Sequence, residues 1–371
     1  MKVGVLTMHK VLNFGSALQA YATQIVIQKM GYEVELIDYI FPNKAHLRHK
    51  VGFLRKSVYL LFQTLKGFPL KKKRNVFEDF WKNNYVLSKY YADSDAIKKD
   101  PPLYDVYIVG SDQVWNPKYI YDDNTFFLDF LSNNSICFSY ASSFAQLKFS
   151  IEYEKNARKY LSAFKAFSVR EKDGVEVIEK FLGRKAIVTL DPTLLLKKKD
   201  YLSLIKQSKL EIDYPYILVY VLDYAYNPYP YVIQFINKLQ EKTGYRIVCI
   251  EMPLKYAIRL KKVRNFQGGV SPSDFLYLFS KASVVVTTSF HGVAFSLNFA
   301  KPLYAVVNDE SNGDNRIINL LKLCGASCCA VIKNTNLNDI DFFIQMDGTK
   351  IQYCLDKMRQ ISMEYLKRNL A

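Results

Sequence analysis

The chain has 371 residues, half of them apolar, which is enough for two domains of ordinary size and excludes a disordered or fibrous protein. No uninterrupted apolar run reaches the roughly 18 residues of a transmembrane helix, so no membrane span is expected. The net charge of +16 is unevenly spread, and residues 44–74 carry ten Lys and Arg with no acid, ten of the sixteen excess charges.

Residues 2–7 predict a short apolar strand, closer to the first strand of a domain than to a signal peptide, and a cytoplasmic protein is expected. A helix over 15–30 and a strand over 33–39 complete a right-handed βαβ unit. The intervening loop has neither G-x-G-x-x-G nor the Walker pattern, so neither a dinucleotide nor a P-loop nucleotide is indicated. Asn13 and Ser16 lie at the helix start, where they can hold a polar ligand or act as caps.

Within 44–74, Val51, Phe53, Leu54, Val58, Tyr59, Leu60, Leu61, Phe62 and Leu65 give an apolar side with cationic flanks. Such a segment reads as a membrane-surface helix or a clamp for an acidic partner; the alternative is a solvated helix packed on the domain. Nucleic acid is not expected, because no recognition motif accompanies the charge.

A helix over 77–85 and a strand over 105–109 follow, and the strand runs into Gly110-Ser111-Asp112-Gln113-Val114-Trp115-Asn116. Hydrogen-bonding side chains beside an aromatic face suit a sugar, so this loop is a candidate site. Strands over 136–140, 166–169 and 186–190 each end in polar residues: Ser142-Ser143, Arg170-Glu171 and Asp191-Pro192-Thr193. Arg170 can bind a carboxylate or phosphate through two N–H groups, or pair with Glu171 or Asp173.

Residues 211–215 mark the expected domain boundary. A second α/β alternation follows: strand 216–222, helix 229–242, strand 246–250 and helix 271–280. Next comes Val284-Val285-Val286, a run that reads as an interior parallel strand, then the polar turn Thr287-Thr288-Ser289-Phe290-His291-Gly292. Val293, Leu297 and Ala300 predict a short helix from about His291 to before Lys301-Pro302, and 303–307 is a further strand. Ligands of open α/β sheets bind at such turns, and a helix start there suits an anion. His291, one of four histidines, is the candidate acid or base, with a structural histidine as the alternative. The polar loop 308–316 leads into a helix over 317–323, where Arg316 adds positive charge. A last helix over 352–367 is expected to return to the first domain. The six cysteines form no C-x-x-C pair; with no histidine within thirty residues of Cys324, Cys328 and Cys329, they read as buried free thiols, not a metal site.

Several stretches together resemble the polysaccharide pyruvyltransferases of bacterial surface-polysaccharide pathways. They are N-F-G-S-A-L-Q-A-Y from Asn13, G-S-D-Q-V-W-N from Gly110, Y-A-S-S-F from Tyr140, R-E at Arg170, D-P-T at Asp191, S-F-H-G from Ser289 and R-I at Arg316. The resemblance implies an α/β protein of two Rossmann-like domains facing across a cleft, similar to the B-type glycosyltransferase fold. We assign 1–212 to an acceptor-side domain, 213–350 to a donor-side domain and 351–371 to the returning helix. It also implies transfer of pyruvyl from phosphoenolpyruvate, as co-substrate, to two hydroxyls of a sugar, with no other cofactor and no metal. In that scheme His291 is catalytic and Arg170, Ser289, Gly292 and Arg316 bind the donor. Asn13, Asp112, Gln113, Trp115 and Asn116 bind the acceptor. Acceptors in such pathways are often linked to polyprenyl diphosphate, so residues 44–74 are expected to rest peripherally on the inner face of the cell membrane. Two rivals remain: a nucleotide-sugar-dependent glycosyltransferase with Asp309 or Glu310 on the ribose, and a non-catalytic membrane-surface module of polysaccharide assembly.

Overall fold

A computed structural model describes residues 1–39, 67–121, 123–132, 134–308, 316–343 and 346–371. The chain folds as two compact units. One comprises Met1–Phe68, Glu78–Leu195 and Met358–Ala371; the other comprises Pro69–Phe77 and Leu196–Lys357.

The first unit is built on a parallel sheet of β1 (Lys2–Leu6), β2 (Glu33–Tyr39), β3 (Leu87–Tyr91), β4 (Val106–Val109) and β5 (Cys137–Ser139), in the order β3-β2-β1-β4-β5. Val3 stands beside both Val34 and Val106, so β1 is interior, and its buried Val3, Val5 and Leu6 match a strand covered on both faces. Gly4 is required there, because a Cβ would sit 2.2 Å from the ring of Tyr104. Helix Phe14–Lys29 starts where the Asn13 side chain accepts from Ser16 N at 3.1 Å. Beyond β5, the pair β6 (Ser168–Val169) and β7 (Ile187–Val188) continues the layer through bridges from Phe138 to Ala166 and from Ser142 to Val169.

The second unit holds six parallel strands: β8 (Tyr216–Tyr220), β9 (Arg246–Ile250), β10 (Val263–Phe266), β11 (Val284–Thr287), β12 (Leu303–Val307) and β13 (Ala330–Ile332). Their order, β10-β9-β8-β11-β12-β13, is that of a Rossmann sheet. In both sheets the winding reverses once, between β1 and β4 in the first unit and between β8 and β11 in the second. In open α/β sheets, ligands bind beyond the carboxyl ends of the strands at such points.

Most elements fall where the apolar runs predict. The differences have local causes. Strands β3, β10 and β13 carry no sequence signal because they are sheet edges, with polar or exposed residues (LSKYY, VRNF) where an interior strand has an apolar run. The helix expected over 77–85 spans Gly67–Asn84 and takes in Lys71, Lys72, Lys73 and Arg74; the rest of the basic segment, 44–66, lies outside the described residues. The chain divides at Leu195 and Leu196, upstream of the Pro215 region, because residues just after 195 pack on the second unit. Tyr201 meets the rings of Phe295 and Phe299, Asn298 Nδ2 donates to Leu196 O at 2.8 Å, and Ser208 Oγ donates to Asp274 at 2.6 Å. The last helix, Gly348–Leu370, ends in the first unit, where Tyr365 OH donates to Ser139 O and Leu190 N donates to Ser362 Oγ. Cys328 is exposed, whereas Cys324 and Cys329 are buried; burial raises the Cys329 thiol to about 12. Among the described residues, no helix is long and apolar enough to cross a membrane.

Candidate functional site

In the first unit the polar residues at successive strand ends converge. Arg170, just after β6, is buried, and its Nη1 lies 3.2 Å from Asp191 Oδ2 and 3.8 Å from Asp112 Oδ1. Its Nε lies 3.5 Å from Glu171 Oε2. Three buried carboxylates therefore surround one guanidinium. Each is held by further donors. Ser16 Oγ donates to Asp112 Oδ2 at 2.6 Å, bringing the helix start after β1 to the loop after β4. Ser111 Oγ donates to Asp191 Oδ2 at 2.9 Å, while Thr193 donates to Asp191 Oδ1 from both its N and Oγ1. Ser143 Oγ donates to Glu171. Asp112 adopts φ +75°, the left-handed region that Asp tolerates better than most residues, while its C=O accepts from Ser143 N at 3.0 Å.

The same unit brings His9 and Lys10, after β1, onto Asp38 of β2. His9 Nε2 lies 3.3 Å and Lys10 Nζ 2.6 Å from its two oxygens. Burial pushes the Asp38 carboxyl upward, but the bonds from His9 and Lys10 outweigh it and hold the group below its ordinary range. His9 Nδ1 faces Thr7 O at 3.0 Å, so both ring nitrogens meet acceptors.

In the second unit, β11 ends in a turn braced against β8. Thr287 Oγ1 donates to Tyr220 O at 2.6 Å, and Thr288 exchanges hydrogen bonds with the backbone of Leu222, both at 2.7 Å. Ser289 caps helix Phe290–Asn298, accepting from Gly292 N at 3.4 Å. Gly292 allows helix and strand to close, since a Cβ there would lie 2.3 Å from Thr287 Oγ1. His291 is buried in the first turn of this helix, its ring edge-on to Phe290 at 5.3 Å. Arg316 is buried at the start of helix Arg316–Leu323, which packs on the His291 helix. The histidine, the capped helix start and a buried arginine thus share the carboxyl-end side of one sheet. That is a setting for binding an anion and moving a proton beside it.

The expected sugar-binding loop is only partly available. Trp115 corrects the expectation of an aromatic face for the acceptor: it is fully enclosed, tilted against Phe144 at 5.0 Å and edge-on to Phe164, with its Nε1 donating to Phe126 O at 3.0 Å. The apolar bulk of indole, once its single donor is satisfied, is more stable inside. Asn116 caps the next helical turn through Lys118 N, and its amide donates to Gln113 Oε1 at 2.7 Å. Asn13 likewise acts as a cap. Ser16, expected as a ligand or capping residue, joins the buried network together with Ser111, Ser143, Glu171, Asp191 and Thr193, to which sequence reasoning assigned no binding role. Their signal was the repeated polar ending of apolar runs, which points to a single cleft at one edge of the sheet. Asp309 and Glu310 lie outside the described residues.

The fold is shared with solved structures of low sequence identity. UDP-GlcNAc 2-epimerase from Methanocaldococcus jannaschii aligns over 100% of this chain and 99% of its own, with TM-score 0.58 and 11% identity. UDP-GlcNAc 2-epimerase from Neisseria meningitidis, bound to UDP-GlcNAc, aligns over 100% and 99%, with TM-score 0.56 and 13% identity. These similarities establish an α/β fold of two parallel Rossmann-like sheets of the B-type glycosyltransferase kind. No curated protein sequence matches the chain. The family model for polysaccharide pyruvyl transferase matches residues 13–310, a span that takes in the Arg170 network and the His291 turn and ends before Arg316. The chain belongs to the polysaccharide pyruvyl transferase family.

Proposed function

We propose that the protein transfers the pyruvyl group of phosphoenolpyruvate to two hydroxyls of one sugar residue, forming a cyclic ketal and releasing phosphate, during bacterial surface-polysaccharide synthesis. The observation that carries this reading is His291 in the first turn of the Ser289-capped helix, on the same sheet side as Arg316. A donor bearing a carboxylate and a phosphate calls for such a place, and its enol carbon must receive a proton.

In this reading one sugar hydroxyl forms a bond to C2 of the enolpyruvyl group while C3 gains a proton and the C2–C3 double bond is lost. The C2–O bond to phosphate then breaks, and the second hydroxyl closes the ketal. Two hydroxyl protons are released; one is matched by the proton taken up at C3, and the other leaves with phosphate. His291 delivers or removes these protons, the imidazole being suited to both near neutral pH. The phosphate is assigned to the Ser289–Gly292 amides and Arg316, a helix start and a guanidinium that both suit an anion. Arg170, already surrounded by Asp112, Glu171 and Asp191, is assigned to orienting those carboxylates, beside which a further anion would be repelled. Asp112, Gln113, Asn116 and Asn13 are assigned to the acceptor hydroxyls. Trp115 is left out, because its face is not available.

The test is phosphate release from phosphoenolpyruvate with a panel of galactosides, glucosides and N-acetylmannosaminides, comparing wild type with His291→Ala. Acceptor-dependent release that is lost in the variant supports the reading. Unchanged release in the variant removes His291 from its role.

A second reading has its own support: whole-chain fold similarity to UDP-GlcNAc 2-epimerases, one of them bound to UDP-GlcNAc, fits an enzyme that uses a nucleotide sugar. It places the diphosphate at the same helix start. A thermal shift with nucleotide sugars but none with phosphoenolpyruvate would select it, because a ligand bound only by the folded state raises apparent stability.

A further inference from the structure

We infer that the turn Leu254–Ala257 of the second unit, with the residues up to Arg264, is a docking surface for an anionic lipid bilayer. It lies after β9, and nothing in the reaction uses it. Leu254 and Ile258 are four residues apart on one helical turn, closed by Ile258 N donating to Leu254 O at 3.1 Å. They are 64% and 79% exposed, the wrong side of the surface for aliphatic side chains without a partner. The opposite side of the turn is anchored: Ala257 and Leu260 are buried in the unit's core, and the ring of Tyr256 stacks on Tyr229 at 3.6 Å. Asn237 Nδ2 donates to Arg259 O, and Gln240 Nε2 donates to Lys261 O at 2.9 Å. The aliphatic pair is therefore presented by a fixed support.

Around it lie Lys255, Arg259, Lys261, Lys262 and Arg264, all exposed, and residues 252–264 contain no acid. None of the five forms an ion pair among the described residues, and Glu251, at the edge of the segment, is taken by Lys73 at 2.6 Å. Lys255 and Arg259 flank the Tyr256 ring at 4.8 and 5.9 Å, which keeps their charges beside the two aliphatic tips. Two exposed apolar side chains in a segment with five exposed cations and no acid complement a surface that is negative outside and apolar beneath, as a bilayer of anionic lipids is. The inference is independent of the reaction proposed above.

The test uses the full chain in cosedimentation with phosphatidylcholine vesicles, with and without phosphatidylglycerol. Binding is expected only with the anionic lipid, weakening as salt is raised. Leu254→Ser/Ile258→Ser and Lys255→Glu/Arg259→Glu should each lower it by roughly tenfold or more, with unchanged melting temperature because these side chains are exposed. In Leu254→Trp, the new indole should shift its emission to the blue on anionic vesicles. Binding that is absent, or that persists undiminished in both double variants through another basic segment such as 44–74, overturns the inference. So does self-association or capture of an acidic protein that depends on Leu254 and Ile258 while vesicle binding does not.

Discussion

Arg170 Nη1 and Asp191 Oδ2 stand 3.2 Å apart, both side chains buried, and so tie the end of β6 to the end of β7. The pair does not stand alone, since Asp112 and Glu171 approach the same guanidinium. Removing Asp191 leaves the guanidinium with Asp112 and Glu171 but takes away the acceptor of the buried Ser111 and Thr193 donors. Asp191→Ala should therefore lower stability by about 1–3 kcal/mol for each donor left unpaired, measured by urea unfolding. Asp191→Asn should cost less, because its amide oxygen can still accept from Thr193, although the amide nitrogen replaces the acceptor used by Ser111 and Arg170. Equal losses in the two variants would mean that the charge matters less than the shape.

His291→Ala should reduce acceptor-dependent phosphate release by about a hundredfold to ten-thousandfold, the range of general acid or base catalysis. The melting-temperature shift produced by phosphoenolpyruvate should survive. A variant that loses both would assign His291 to holding the donor instead of moving protons.

Gly292 packs against Thr287 with no room for a methyl group. Because Thr287 is itself bonded to β8, it cannot move aside freely. Gly292→Ala should cost about 1–3 kcal/mol and appear as a lowered melting temperature. Retention of the wild-type value would show that the helix start shifts easily, and that the amides there are not fixed for an anion.

Trp115 provides a test between core and ligand face. Trp115→Ala should lose about 3–5 kcal/mol through the cavity it leaves. Trp115→Phe, which keeps most of the apolar volume, should leave the KM for the acceptor unchanged in the folded enzyme. A raised acceptor KM at unchanged stability would return Trp115 to the sugar site.

Asp38 predicts a pH dependence. Its folded value lies below the ordinary 3.8, since the bonds from His9 and Lys10 outweigh the upward push of burial. Its contribution to stability is thus complete above that ordinary value and is lost as pH falls through the lower folded one. The stability difference between wild type and Asp38→Asn, from urea unfolding across acid to neutral pH, should be largest near neutrality and shrink in acid. A difference that grows on acidification would contradict the assignment.

The sequence by itself determined the alternation of strand and helix, the interior strands β1, β8 and β11, and the positions at which polar residues end them. It could do so because a parallel strand buried on both faces must be apolar, and because a helix start needs a cap such as Asn13 or Ser289. The quoted motifs also carried the family. Tertiary structure alone decided which strand ends meet: Asp112, Arg170 and Asp191 are far apart in the chain, and only strand order brings them to one point. It also decided that Trp115 faces inward, because a residue after a strand can turn to either side and neighbouring Phe144 and Phe164 left room for the indole. Edge strands β3, β10 and β13, and the boundary at Leu195, likewise depended on what packs against them. The exposed pair Leu254 and Ile258 is the same lesson reversed, since their side chains look like core in the sequence and only the fold leaves them outside.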